Sequence, residues 1–306
     1  MPPSRSPSYV LPDKDEFLAR YKFSDQEFQE TGLEWHDLQL IFNDYSRWYE
    51  NENLPEIAEK IAVILRRCPT VHAATSRAKI PEKLVEKIIR RSIEEGSRWA
   101  SPSNYVEKVP DLIGVRAIYL FNEQWVFVDN FIRINLPIKR SPKPIAYIQK
   151  PIPDRLRSAF TAAGLSVKIG KHGYQSVHYE MRKRVGVRSF RVEVQARTLY
   201  QEAWGEVSHV TAYPYRQDVA LLVESMRQLA EITSKADHFS SAIEAIVQLW
   251  DARKARRMPD PAFVDDFIER LKFLKKHHPD IAADLIDASS EFSVSKLDSS
   301  FGLPTR

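Results

Sequence analysis

Residues 111–121 read DLIGVRAIYLF, a short apolar run rich in β-branched side chains. Such a run is the mark of a strand covered on both faces, so the chain needs a sheet and a layer on either side of it. Two more stretches carry strand periodicity. SFRVEVQART, residues 189–198, sends Phe190, Val192 and Val194 one way and Arg191, Glu193, Gln195 and Arg197 the other. KHGYQSVHYEMR, residues 171–182, puts Val177, Tyr179 and Met181 toward a core and His178, Glu180 and Arg182 on the opposite side. SVKIGK, just before it, is a fourth short strand. Helical patterns alternate with these strands, which gives an α+β (mixed α/β) fold with a central mixed sheet flanked by helices.

The helical patterns are specific. Residues 13–68 form an N-terminal helical layer in which Phe42, Tyr45, Trp48 and Tyr49, then Ile57, Ile61, Ile64 and Leu65, recur at helical spacing. A sharper helix starts at Pro81, with Leu84, Val85, Ile88 and Ile89 as its buried stripe. NEQWVFVDNFIRIN reads as a helix after the first strand, and a short helix spans 154–163. The segment LPIKRSPKPIAYIQKPIP, residues 136–153, holds five prolines and reads as an exposed basic loop without a regular element. After Pro214 a long helix is expected, with Leu222, Met226, Leu229, Thr233, Ala236, Ser240, Ile243, Val247 and Trp250 as an approximate seam. That seam either packs on the core or pairs with a second copy in a homo-oligomer. The expected organisation is a loose arm at 1–12, a domain at 13–250, a basic linker at 251–261 and a helical extension and tail at 262–306.

Bulk composition narrows the class. The chain has 306 residues, 43% hydrophobic and 28% charged, which is ordinary for a globular protein. Its net charge of +4 suits a phosphate-bearing ligand and is too small to argue for nucleic acid on its own. Cys68 is the single cysteine, so no intrachain disulfide is possible. No run of about 18 apolar residues exists for a membrane span, and the first residues lack a signal-peptide core, so a cytoplasmic location is expected.

The polar positions form one set. Arg77, Lys79, Lys83 and Lys87 make a basic row, with the lysines at intervals of four. Asp111 stands at the start of a buried strand, and Glu193 in the middle of another. Two nearby carboxylates can hold Mg²⁺ together with phosphate oxygens, and lysines and arginines can take the remaining phosphate charge. Tyr174, on a Gly-Tyr turn, is either a shelf for a flat base or part of an ordinary surface hairpin. Asp111 is equally readable as a loop carboxylate, and Glu193 as half of a surface ion pair with Arg191 or Arg197. No GxxxxGK[ST], GxGxxG or GxSxG motif is present, and the adjacent His277 and His278 cannot share one helix face as metal ligands.

In order along the chain, RAKIPEKLVEK, DLIGVR, GYQSVH and EVQARTLYQEAWGEVSH resemble the RelA/SpoT-type (p)ppGpp synthetase domain over about residues 70–250, and the whole is similar to the small alarmone synthetases. The resemblance implies a nucleotidyltransferase-like sheet and a Mg²⁺-dependent transfer of the β,γ-pyrophosphate of ATP to the 3′-hydroxyl of GDP or GTP, sometimes GMP, with AMP leaving. It makes Asp111 and Glu193 the catalytic and metal-binding pair. It places Arg77, Lys79, Lys83, Lys87 and Arg116 around ATP, and Tyr174, His178, Gln195 and Arg197 around the acceptor, with Tyr174 stacking the guanine. Two departures stand out. Lys83 occupies a position where the family carries serine, and the usual Lys-Pro-Asn-Gly-Tyr reads Gly170-Lys171-His172-Gly173-Tyr174 here.

The altered turn leaves the acceptor open. Some toxic relatives modify the 3′ end of tRNA or adenine-bearing acceptors, and Lys139, Arg140, Lys143 and Lys150, with Arg182, Lys183 and Arg184, are basic enough to grip RNA or simply to solvate a surface. A non-catalytic nucleotide- or RNA-binding module is the remaining alternative.

Overall fold

A computed structural model describes residues 9–211, 216, 219–255 and 260–279. Helices α1 (Lys14–Tyr21), α2 (Asp25–Glu30), α3 (Trp35–Asn51) and α4 (Leu54–Leu65) form the expected N-terminal layer. Strand β1 (Ala73–Ala78), α5 (Pro81–Glu95), α6 (Tyr105–Lys108), β2 (Ile113–Tyr119) and α7 (Trp125–Asn135) follow. Then come β3 (Ile145–Ile148), α8 (Asp154–Ala162), β4 (Ser166–Ile169), β5 (Ser176–Val185), β6 (Arg188–Thr198), α9 (Leu199–Thr211), α10 (Ala220–Lys254) and α11 (Pro261–His277).

The six strands make one mixed sheet in the order β1-β2-β6-β5-β3-β4. β2 and β6 run parallel at its centre, and β5 lies antiparallel to both β6 and β3. Val115, Ala117, Val177, Tyr179, Val194 and Ala196 sit on the covered face, each at most 3% exposed. Helix α4 lies against β1 and β2, and α7 against β6. Burying an aliphatic side chain of this size contributes about 1.5–3 kcal/mol, so this layer is the principal source of stability.

Register puts the polar residues in neighbouring rows on the other face. Arg77 pairs with Gly114, Gly114 with Glu193, Arg116 with Gln195, and Gln195 with His178. β2 is therefore not covered on both faces throughout. Gly114 and Arg116 are only half-buried, because they open onto that polar face. Seven mostly apolar residues had masked this one-sidedness.

Several elements depart from the sequence expectation. β1, AATSRA, is built of small and polar residues and carries no apolar run, yet it pairs with β2 along its whole length. The 136–153 segment contains β3, which pairs with β4 and β5. Its four residues lie between Pro144 and Pro151, where every residue keeps an N–H for the ladder. α9 forms directly after β6. Thr198 Oγ1 accepts from Gln201 N at 3.2 Å, and Gln201 Oε1 accepts from Thr198 N at 3.1 Å, a reciprocal cap.

α10 keeps the expected seam at Met226 and Ser240 and leaves it toward the C-terminal end. Met226, Ala230, Ser234, Asp237, Ser241, Ala245 and Leu249 face inward, whereas Ile243, Val247 and Trp250 are exposed. A straight 3.6-residue helix drifts away from a heptad over this length. The helix also runs to Lys254, into the expected linker, and α11 accounts for the first part of the expected extension. Residues 256–259 of that linker, 280–306 of the tail and 1–8 of the arm lie outside the described residues. Tyr9 packs its ring against Tyr49 at 5.5 Å. Among the described residues no helix is long and apolar enough to cross a membrane.

Candidate active site

Asp111 lies two residues ahead of β2. The loop that carries it is pinned by Lys79 N donating to Leu112 O at 2.9 Å and by the Tyr45 hydroxyl donating to the same oxygen at 3.3 Å. Each carboxylate oxygen meets one lysine: Lys79 Nζ is 3.0 Å from Oδ2, and Lys87 Nζ is 2.6 Å from Oδ1. All three side chains are at most 13% exposed. Burial opposes ionisation of Asp111, but the two ammonium groups overcome it and hold the carboxyl well below its ordinary range. Lys79 is pulled down by burial, against the attraction of Asp111, with Lys87 and Arg77 adding repulsion.

The basic row divides here. Lys79 sits ahead of α5, whose first residue is Pro81, so it does not extend the helical face. Lys83 lies in the first turn beside α1 and places its Nζ over the Tyr21 ring, 4.6 Å from the centroid. Arg77 is exposed and lies across Gly114, where an added Cβ would stand 3.7 Å from its Cγ. Arg116 is held by Glu202 at 2.8 Å and by Glu206.

Glu193 pairs with neither neighbouring arginine. His178 Nδ1 lies 3.1 Å from its Oε1, and Gln195 Nε2 donates to its Oε2 at 2.6 Å. Because a carboxylate only accepts, Nδ1 carries a hydrogen, and Nε2 shares a hydrogen bond with the Tyr174 hydroxyl at 2.6 Å. Burial raises the proton affinity of Glu193; His178 and Gln195 more than offset this, and Asp111 acts in the raising direction. The two carboxylates therefore feel each other's charge. Cross-strand Glu180, opposite Glu193, is tied to Lys139 and Arg191.

Tyr174 is half-buried rather than an open shelf. Tyr147 and His178 meet it edge-on at 5.7 Å, Trp204 is tilted at 6.2 Å, and the Arg197 guanidinium stands 5.8 Å from its centroid. Burial first, opposed by Arg197, raises its hydroxyl pKa. The turn before it is left-handed at His172 (φ 52°) and Gly173 (φ 89°). Asparagine, the family residue at position 172, tolerates that conformation better than histidine. Against α10 the turn is close: a Cβ on Gly173 would come within 2.3 Å of Ala230 Cβ.

The donor set suits Mg²⁺, which binds through one or two carboxylates plus substrate phosphates. Asp111 and Glu193 supply two ionised carboxylates, with lysines ready to exchange a carboxylate for phosphate. Among the described residues no group of three or more His, Cys, Asp and Glu side chains could hold a metal by itself. Of the basic residues weighed for RNA, Lys139 is engaged by Glu180, and Arg182 by Glu107, with Nη1 to Oε1 at 2.7 Å. Sequence reasoning missed Tyr147, Glu202, Trp204 and Glu206 as neighbours of the site. The signal for three of them was the Thr198-x-x-Gln201 capping pattern, which starts the helix they share.

The model of the family described as "Region found in RelA / SpoT proteins" matches residues 76–218, which span β1 through α9. Residues 76–218 are thus similar to a region found in RelA / SpoT proteins. Among solved structures, a GTP pyrophosphokinase family protein from Streptococcus pneumoniae matches at 17% identity, covering 68% of this chain and 97% of its own, with a TM-score of 0.50. Small alarmone synthetase 1 from Bacillus subtilis matches at 19% identity over 67% of this chain and 98% of its own, TM-score 0.48. The same enzyme bound to its product pppGpp matches at 19% identity over 66% and 98%, TM-score 0.47. The first of these shows a fold shared over 68% of this chain. No curated protein matches the chain by sequence.

Proposed function

We propose that the RelA/SpoT region moves the β,γ-pyrophosphate of ATP to the 3′-hydroxyl of GDP or GTP. The observation that supports this most is that Asp111, held by Lys79 and Lys87, stands near enough to Glu193 for its charge to act there, while His178 links Glu193 to the aromatic-lined Tyr174 turn. The acceptor 3′-oxygen forms a bond to the β-phosphorus, the bond from that phosphorus to the oxygen bridging it to the α-phosphate breaks, and AMP leaves with that oxygen. Glu193, oriented by His178 and Gln195, takes the hydroxyl proton. Lys79 and Lys87 neutralise phosphate charge once they release Asp111. Arg77 and Arg116 flank the adenine, and Tyr174 and Arg197 hold the guanosine. Mg²⁺, held by Asp111 and Glu193, would polarise the transferred group.

The test is product analysis with γ-labelled ATP and a panel of GDP, GTP, GMP and tRNA. AMP release with label in a guanosine 3′-pyrophosphate is expected, and Asp111→Asn and Glu193→Gln should each lower it by about 100-fold or more. Label on tRNA alone would move the acceptor to RNA. Nucleotide binding without turnover would make the region a binding module.

A further inference from the structure

The best-buried ion pair at the site involves none of the reacting groups. Arg197 is 1% exposed, among the largest fully buried side chains of the protein. Glu202, 9% exposed in the first turn of α9, places Oε2 3.1 Å from Arg197 Nε and Oε1 2.8 Å from Arg116 Nη1. Arg197 Nη2 in turn donates to Gln195 Oε1, and Gln195 Nε2 to Glu193. One carboxylate thus stands between the arginine assigned to the donor and the arginine assigned to the acceptor, and the chain of contacts continues to Glu193.

Local sequence builds this arrangement. The reciprocal Thr198–Gln201 cap turns the chain into α9 immediately after β6, which brings Glu202 back over the end of β2. Gly205, one turn later, leaves room for the guanidinium: a Cβ there would stand 2.6 Å from Arg197 Nη1. Trp204, between them, packs on Tyr174 and donates to Met226 O at 2.9 Å, so α9 is fixed to α10 as well. A buried guanidinium without a counter-charge is strongly unfavourable, so Arg197 depends on a carboxylate that it shares with Arg116, one arginine on each oxygen. When a nucleotide phosphate or base draws one arginine away, the other gains a larger share of Glu202.

We propose that Glu202 is a positioning residue that couples the two nucleotide sites, so that occupancy of the donor site through Arg116 changes affinity at the acceptor site through Arg197. This rests on the assignment of Arg116 and Arg197 to donor and acceptor made above. Such coupling is reciprocal and typically amounts to about 5–150-fold in affinity. Glu206, 54% exposed, forms its ion pair with Arg116 and feels Arg197 only through charge at longer range, so it is the weaker link between the two sides.

The experiment measures GDP affinity by calorimetry in the full chain, with and without a saturating non-hydrolysable ATP analogue and Mg²⁺, for wild type, Glu202→Gln and Gly205→Ala. Wild type should show a shift of at least about fivefold, and Glu202→Gln about none, with each nucleotide still bound. Gly205→Ala, which displaces Arg197 without removing charge, should cut the shift by about threefold or more, and it carries the test if Glu202→Gln does not fold. A purely structural role would lower the melting temperature of both variants and leave the ratio unchanged, and that result overturns the proposal. So does a wild type that binds both nucleotides with no shift. Wild type that binds neither nucleotide would overturn the functional assignment itself, whereas wild type that forms product with an unchanged ratio in both variants removes only the role of Glu202.

Discussion

Asp237 sits on α10 with 2% of its surface exposed, facing Thr198, Gln201 and Tyr119 at the junction of β6 and α9. Burial pushes its carboxyl up to about 7; the nearby Thr198 and Gln201 side chains only partly offset this, and the charge of Glu123 adds to it. In the unfolded chain the same group titrates near about 4. Between those values the folded protein holds a proton that the unfolded chain has released. Asp237 therefore makes stability fall as pH rises from about 4 to about 7, the reverse of the usual salt-bridged carboxylate. Asp237→Asn removes this dependence. Urea denaturation from pH 4.5 to 8 should show wild type losing about 1–4 kcal/mol relative to the variant over that interval. Parallel curves would show that Asp237 is ionised in the fold.

At the scale of elements, the turn before β5 and the helix α10 fit together through a single glycine. Gly173 has φ 89° and leaves no space for a methyl group beside Ala230. Gly173→Ala forces either a strained left-handed residue or a retreat of α10, at a cost of about 1–3 kcal/mol. Since Tyr174 is the next residue, the KM for the guanine nucleotide should rise several-fold while that for ATP changes little. Equal changes in both would mean that the turn does not belong to the acceptor side. The sequence alone revealed β5 and β6 through their alternation, and with them the faces of His178 and Glu193. It revealed Asp111 only as a carboxylate near a strand. The lysines that hold it come from positions 79 and 87, and whether they meet depends on where α5 begins. β1 escaped notice because AATSRA has no apolar alternation; its pairing comes from β2. β3 was hidden by the prolines around it. Glu202 has no distinguishing signal in the sequence, and only the fold sets two arginines against it.

The whole molecule is held by unequal cores. One large cluster joins the N-terminal helices to the sheet, from Phe17 through Val115 to Ala196. Trp204, Met226 and Ala230 form a small second one between α9 and α10, and Ala245, Leu249 and Phe267 join α10 to α11. α11 is otherwise attached by Asp266 with Arg155, by Arg270 with Glu123 at 3.3 Å and with Ser241 O at 2.8 Å, and by the Phe273 ring against His238 at 4.9 Å. Elements with few buried apolar contacts open at lower free energy than the core. In hydrogen exchange, α11 amides should exchange before those of β2 and β6. A bound ATP analogue with GDP stabilises only what it contacts or what is packed on it. Through Tyr174 and Trp204 that includes α9 and the first half of α10. Protection should therefore rise there by about tenfold or more at saturating nucleotide and stay unchanged in α11. If α11 gains as much as α9, the C-terminal helix is part of the nucleotide-binding unit rather than an appendage to it.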